Sequence, residues 1–282
     1  MTCEKNKLVE VPVDDWKKLR DLFKSNWPRH VLPYLAIENF ERLKTTHLPS
    51  TKIFCLNGDW SDGTFILKDG RQITMYTLQE SCQRLYEALM LYDWSEGSAQ
   101  RPYDSAHKHV LQKVRAALKL KISKEYELDN DGAGCTYWIS KEQALLFDDT
   151  PPSDCEIRNL EDKDSTIINS LWPYGTPETE AYFKLMIAIN PSRGLYGKEK
   201  NDLRCWVLSH ANGVLMALQT SPHHLRKGYG ELILKSMAKL KAQMGQDTIA
   251  SIVPENVKSR NLFSKLNFKE IGITYWSGTD PF

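Results

Sequence analysis

Between Leu218 and Glu231 the chain reads Leu-Gln-Thr-Ser-Pro-His-His-Leu-Arg-Lys-Gly-Tyr-Gly-Glu. A strand stops at Pro222, a tight basic turn with two glycines follows, and a helix begins at once. A helix start leaves backbone N–H groups without intrahelical acceptors, and its dipole favours negative charge. Gly228 and Gly230 let the backbone approach a bulky anion. His223, His224, Arg226 and Lys227 put positive charge on the same few residues. The natural guest is a phosphate or pyrophosphate. The dinucleotide fingerprint needs a third glycine where Ile233 stands, and a triphosphate loop needs Gly-Lys-Ser/Thr, which is absent. The competing reading is an ordinary strand-to-helix turn with solvated charges. The helix does not separate the two, because Ile233, Met237, Leu240 and Met244 form a core-facing stripe with lysines opposite, as in any amphipathic helix.

A second pattern does. A short apolar strand, Thr248 to Val253, is followed by Asn256-Val-Lys-Ser-Arg-Asn-Leu-Phe-Ser-Lys-Leu-Asn-Phe268. The order strand, Gly-rich turn, helix, strand, Asn-led helix and Lys-x-x-Phe resembles the GNAT superfamily of acyl-CoA-dependent N-acyltransferases. Leu218, Thr220, Pro222, Gly228, Gly230, Asn256, Leu262, Lys265 and Phe268 fall at that family's spacings. Cys205-Trp206, Pro222 and Gly-Tyr-Gly look most like the glycine N-acyltransferase-like branch. The resemblance covers roughly the last quarter of the chain, and two separate spaced patterns carry it.

The resemblance implies an α+β fold, a mixed and largely antiparallel sheet flanked by helices. It implies acetyl-CoA or another acyl-CoA as co-substrate, and a primary amine such as a small amino acid as acceptor. The amides of Arg226, Lys227, Gly228, Tyr229, Gly230 and Glu231 are then the pyrophosphate cradle. Leu218 and Thr220 hold the pantetheine arm through their backbone, with the Leu218 N–H polarising the thioester carbonyl. Asn256 bonds the arm or simply caps its helix. Phe263 packs beside the sulfur or is a core residue. Four positions depart from the family. Leu225 stands for Arg or Gln, and Asn267 for Gly. Phe263 stands for the Tyr that protonates the departing thiolate, and Val214 for a carboxylate proposed as general base in the glycine-conjugating branch. His210, in the hairpin before the strand, is the remaining imidazole candidate for a base. A non-catalytic acyl-CoA-binding protein and a protein N-acetyltransferase are the rival readings.

Composition sets the class. The chain has 282 residues, is 41% hydrophobic and 26% charged, and carries a net charge of +1. That is a globular composition with no global pull toward nucleic acid. The six cysteines are scattered in neither a zinc nor a disulfide pattern, which suggests reduced, buried thiols and a cytosol-like compartment. Residues 1–13 carry Glu4 and Glu10 among lysines and do not read as a secretory signal. They are also a poor mitochondrial presequence, although relatives in the glycine-conjugating branch reside in the matrix. No segment approaches membrane-spanning length. No metal-binding or membrane-binding pattern is seen, and a monomer is expected.

Taken in order, Leu8 to Val13 alternates like a strand, and Asp14 and Asp15 are placed to cap a helix from Trp16 to Ser25. Ala36 to Thr45 is a second helix. Lys52 to Leu56, Gly63 to Lys68 and Gln72 to Leu78 are strands joined by Asn57-Gly58 and Asp69-Gly70 turns. Leu78 to Tyr92 is a helix, Ser95 to Pro102 a loop, Asp104 to Lys119 a helix and Thr136 to Ser140 a strand. Asp148 to Asp154, with two prolines and three acids, marks a linker between domains 1–147 and 155–282. Cys155 to Leu160 is a strand, followed by a helix through Ile167 and Leu171, a helix Pro177 to Ile189, and strands Gly194 to Tyr196, Leu203 to Leu208 and Val214 to Thr220. The order of elements thus repeats, and Ser25-Asn-Trp-Pro28 echoes Ser170-Leu-Trp-Pro173. The first copy passes from its third strand into Gln79-Glu80-Ser81, with no glycine and with a carboxylate that would repel pyrophosphate. It is expected to be a degenerate GNAT-like domain without a CoA loop, covering the other half and shaping the acceptor pocket.

Overall fold

A computed structural model describes residues 5–44, 48–123 and 132–281. By internal contacts the chain forms two units. The first is Met1–Thr136 with Ser251–Asn256 and Ile271–Phe282; the second is Tyr137–Ala250 with Val257–Glu270. The two are interleaved in sequence, and Asp148 to Asp154 falls inside the second.

The first unit runs β1 (Leu8–Glu10), α1 (Val13–Leu22), α2 (Val31–Lys44), β2 (Lys52–Leu56), β3 (Phe65–Asp69), β4 (Gln72–Tyr76), α3 (Gln83–Met90), β5 (Ser98–Asp104) and α4 (Lys108–Leu118). Strand β6 (Gly132–Ile139) leads into the second unit. Strands β1 to β4 are successive antiparallel neighbours. Helices α1 and α2 lie between β1 and β2, whereas turns join β2 to β3 and β3 to β4, and Asn57, Gly58 and Gly70 supply the positive φ those turns require. Strands β4 and β5 are parallel, which needs a crossover, and α3 provides it. On α3 and α4, Leu85, Leu89, Val110, Leu111 and Val114 recur at helical spacing and pack on Ile66, Ile73 and Met75 of the sheet.

The second unit runs α5 (Lys141–Ala144), β7 (Cys155–Arg158), α6 (Asp164–Leu171), α7 (Pro177–Ile189), β8 (Arg193–Gly197), β9 (Leu203–Ser209), β10 (Leu215–Thr220), α8 (Tyr229–Gln243), β11 (Thr248–Ile252) and α9 (Val257–Lys265). Strands β7 to β10 are successive antiparallel neighbours, and β10 is parallel to β11 across α8. This is the element order and pairing sense of the first unit again, so the repeat holds at the level of fold. A reciprocal Thr176–Thr179 capping box with Pro177 opens α7 at its expected residue.

Several boundaries differ from the sequence reading. Helix α1 begins at Val13 with Pro12 before it, so Asp14 and Asp15 sit in its first turn and do not cap it. Helix α2 begins five residues early, at Val31, because Val31, Leu32 and Leu35 are buried; its expected last residue, Thr45, lies outside the described residues. Helix α3 starts at Gln83, because Thr77 to Cys82 form a turn of their own. Ser98 to Pro102, read as loop, and Asp104, read as the start of a helix, belong to strand β5. It is held by β4 on one side and by the final strand β12 (Lys269–Thr279) on the other, and β12 was not anticipated. The buried face of α8 is Ile233, Leu234, Met237, Ala238 and Lys241, whereas Met244 is exposed. Lys241 was expected on the solvent face. Its ammonium is buried because it donates to Gly213 O at 3.1 Å and Gln246 Oε1 at 3.3 Å.

Candidate functional site

Strand β10 is paired along only part of its length. It meets β11 at one position, Leu215↔Ala250, and beyond Leu215 it has no ladder partner on that side among the described residues. On its other side the register with β9 shifts between Met216 and Gln219. Ala217 and Leu218 occupy this bulge, and Ala217 takes a left-handed φ of 51°. A bulge leaves ladder groups unpaired and re-aims the backbone. It lies at Leu218, the residue whose amide the sequence singled out. Nothing local announces it, since alanine has no preference for that conformation.

After Thr220 the chain turns through Pro222–His224 and reaches α8 by way of Arg226, φ 60°, and Gly228, φ 77°. Among the described residues the backbone bonds through this loop are Ser221 N–H to Arg204 O, His224 N–H to Ser221 O and Leu232 N–H to Gly228 O. Among the described residues nothing accepts from the amides of residues 225–231. A helix start with that many open donors offers a row of hydrogen bonds suited to an anion. A Cβ at Gly228 would meet nothing within 4 Å, so the residue is demanded by its backbone angle. A Cβ at Gly230 would sit 3.7 Å from Thr220 Oγ1 and 3.8 Å from Leu262, which is ordinary contact. Helix start, strand end and α9 therefore converge on Gly230.

Charge follows the same lines. Arg226 and Lys227 are exposed, and no ion pair engages them among the described residues. Glu231 might have opposed an anion, but Lys235 at 2.7 Å and Lys265 at 2.6 Å bind its carboxylate and hold it below the usual range. The Tyr229 ring is buried beneath the loop, with its hydroxyl 3.9 Å from Cys155 Sγ, so only its backbone faces the guest. Thr220 Oγ1 is 3.2 Å from Cys205 Sγ, and burial pushes that thiol up to about 12.

Phe263 is buried between Tyr137 and Phe268, ring centroids 5.8 and 4.8 Å away. It sits in the core behind α9. Val214 is buried. His210 pairs with Val214 across the hairpin, its N–H on Val214 O at 2.8 Å, and its Nδ1 is 3.0 Å from Tyr182 Oη on α7. Leu215 begins β10 just beyond this hairpin, three residues or roughly 10 Å of strand before Leu218. Asn256 stands immediately before α9, its amide on Val253 O at 3.0 Å, and counts with the first unit.

The equivalent turn of the first unit is closed. Cys82 precedes α3 in a left-handed conformation, as Gly228 precedes α8. There the amides are taken. Gln79 Oε1 accepts from Arg84 N–H and Ser81 Oγ from Gln83 N–H, both at 3.4 Å, and Gln79 O accepts from Cys82 N–H at 3.1 Å. Strands β4 and β5 also part, after Ile73↔Gln100, but Tyr76 on β4 stacks on His107 at 4.6 Å and bonds His30 at 2.8 Å. The expected repulsion by Glu80 is thus accompanied by a turn that caps itself. Among the described residues no group of three His, Cys, Asp or Glu side chains is placed to hold a metal. No helix described is long and apolar enough to cross a membrane.

Residues 192–277 match the FR47-like protein family. No curated protein matches the sequence. Among solved structures, a Drosophila protein is 19% identical with a TM-score of 0.83, covering 98% of this chain and 99% of its own. A tandem GNAT protein from the clavulanic acid biosynthesis pathway is 10% identical with a TM-score of 0.53, covering 98% of each chain. A GCN5-related N-acetyltransferase from Kribbella flavida is 11% identical with a TM-score of 0.50, covering 77% of this chain and 86% of its own. At such identities the likeness is one of fold. The chain accordingly has the fold of a tandem GNAT protein, and within it residues 192–277 are the part that matches the FR47-like protein family.

Proposed function

We propose that the second unit binds acyl-CoA and transfers its acyl group to a primary amine. The observation that carries this reading is the open row of amides at residues 225–231, next to a strand with one free side. The amides of Arg226, Lys227, Gly228, Tyr229, Gly230 and Glu231 take the diphosphate, with the Arg226 and Lys227 side chains adding charge. The free side of β10 at Leu218 and Thr220 takes the pantetheine arm as an added strand would be taken. The Leu218 N–H polarises the thioester carbonyl. The amine nitrogen attacks that carbon, a C–N bond forms, the C–S bond breaks, and coenzyme A leaves as thiolate. The amine's proton passes to water or to His210. Phe263 cannot donate a proton and Val214 cannot accept one, so rate comes from juxtaposition and carbonyl polarisation. Loss of a positioned acid or base costs about 10²–10⁴-fold, and turnover is correspondingly slow. A small amino acid such as glycine is the acceptor that the branch resemblance favours.

The test is CoA release from acetyl-, benzoyl- and longer acyl-CoA against a panel of amino acids and amines. Release above blank for at least one pair supports transfer. The buried, apolar Val214 and Phe263 favour one second reading, an acyl-CoA-binding protein without turnover. Tight acyl-CoA binding with no release for any pair would select it.

A further inference from the structure

The loop before α8 holds two left-handed residues and a row of unsatisfied amides, a costly conformation that something else must maintain. Leu225, Arg226, Lys227 and Gly228 are exposed and make no side-chain hydrogen bond among the described residues. The side-chain anchorage comes from the two residues that flank them. His224 Nε2 lies 3.1 Å from Asp202 Oδ2, and the Tyr229 hydroxyl bonds Arg204. Asp202 immediately precedes β9, Arg204 lies in it, and the two bind each other, Arg204 Nε on Asp202 Oδ2 at 3.1 Å. Arg204 Nη1 also reaches Asp154 Oδ2 at 2.7 Å and Cys155 Sγ at 3.1 Å. With two carboxylates on it, Arg204 is not a phosphate ligand; it is a strut. One connected set, Asp154–Arg204–Asp202–His224, therefore braces the loop from beneath.

Resting on the reading that the loop takes a diphosphate, we propose that Asp202 and His224 are the positioning residues that set its affinity, and that His224 takes up a proton when the anion binds. The neutral ring donates from Nε2–H to Asp202. A second proton would go on Nδ1, which is buried and has no acceptor. Among the described residues Asp202 favours the proton, while Arg204 and Lys227 oppose it, and Tyr229 presents a neutral ring 6.4 Å away. Burial and the two cations hold the imidazole below its ordinary value in the free protein. A diphosphate on the neighbouring amides offsets both cations and reverses the balance. Binding that raises a pKa takes up protons, so affinity rises as pH falls.

The experiment titrates free coenzyme A into the full chain by calorimetry, in buffers of different ionisation enthalpy, from pH 5.5 to 8. The unaltered protein is expected to bind with proton uptake. Asp202→Asn and His224→Gln are each expected to weaken binding by roughly tenfold, the usual scale for a lost charge-assisted hydrogen bond. His224→Gln is expected to abolish the uptake while the melting temperature stays put. Unchanged affinity and unchanged uptake in two folded variants would overturn the proposal. If one variant fails to fold, the other decides. Absence of coenzyme A binding by the unaltered protein would instead overturn the cofactor reading, and this inference with it.

Discussion

Gly228 and Gly230 look alike in the sequence and do different work. At Gly228 the backbone stands at φ 77° with open space around it, so an added methyl clashes with nothing and yet strains the chain. Left-handed geometry costs an L-residue about 1–2 kcal/mol. Gly228→Ala is expected to destabilise by that amount and to weaken coenzyme A binding, because the amides turn with the backbone. Gly230→Ala should leave stability alone, its Cβ making only ordinary contact, and weaken binding through crowding of the guest. Paired thermal melts and binding titrations on the two variants check this. His107 gives a second prediction. Burial holds its ring down at about 4, and one nitrogen is committed to the Thr77 backbone. The folded state thus refuses a proton that the unfolded state accepts below pH 6.5. Its contribution is complete above 6.5 and is lost as pH falls toward 4, roughly 3 kcal/mol over that window at most. Urea midpoints between pH 7 and 4.5 should fall, and His107→Gln should flatten the fall.

Strand β12 shows how an element can be indispensable to a unit far from it in sequence. It closes the edge of β5 and threads a buried polar network. Ser277 Oγ donates to Gln100 Oε1 at 2.7 Å, Gln100 Nε2 donates to Thr279 Oγ1 at 3.2 Å, and Arg115 reaches Gln100 Oε1 at 2.9 Å and Gly278 O at 3.4 Å. Asp280 N–H adds a bond to Lys121 O at 3.0 Å. Deleting residues 271–282 removes an acceptor from a buried guanidinium and uncovers a strand edge. Losing one partner of a buried charge commonly costs about 3–5 kcal/mol. The truncated chain is expected to lose amide protection in residues 5–120 before it loses protection in 155–245, as read by hydrogen exchange. A uniform loss across the chain would contradict this account.

At the scale of the molecule the fold is used twice, and among the described residues only the second copy leaves the amides of its helix start open. One turn spends its donors on Gln79 and Ser81, while the other leaves them open, so a single equivalent of coenzyme A is expected per chain. Calorimetric stoichiometry checks this, and affinity should weaken with salt because Arg226 and Lys227 are solvated. The strand–turn–helix around Gly228, the Asn57-Gly58 and Asp69-Gly70 turns, and the sheet-and-helix repeat could be read from residues alone. Each rests on a local rule: an orphaned helix start, a positive φ, a hydrophobic period. Four features could not be read that way: Ser98 to Asp104 as a strand, the bulge at Ala217, the buried Lys241, and the interleaving of the two units. Ser-Ala-Gln-Arg-Pro-Tyr-Asp has no strand period of its own and becomes β5 only because β4 and the distant β12 supply its bonds. Pairing between residues 170 or more positions apart leaves no mark on either segment by itself, and tertiary structure alone decides it.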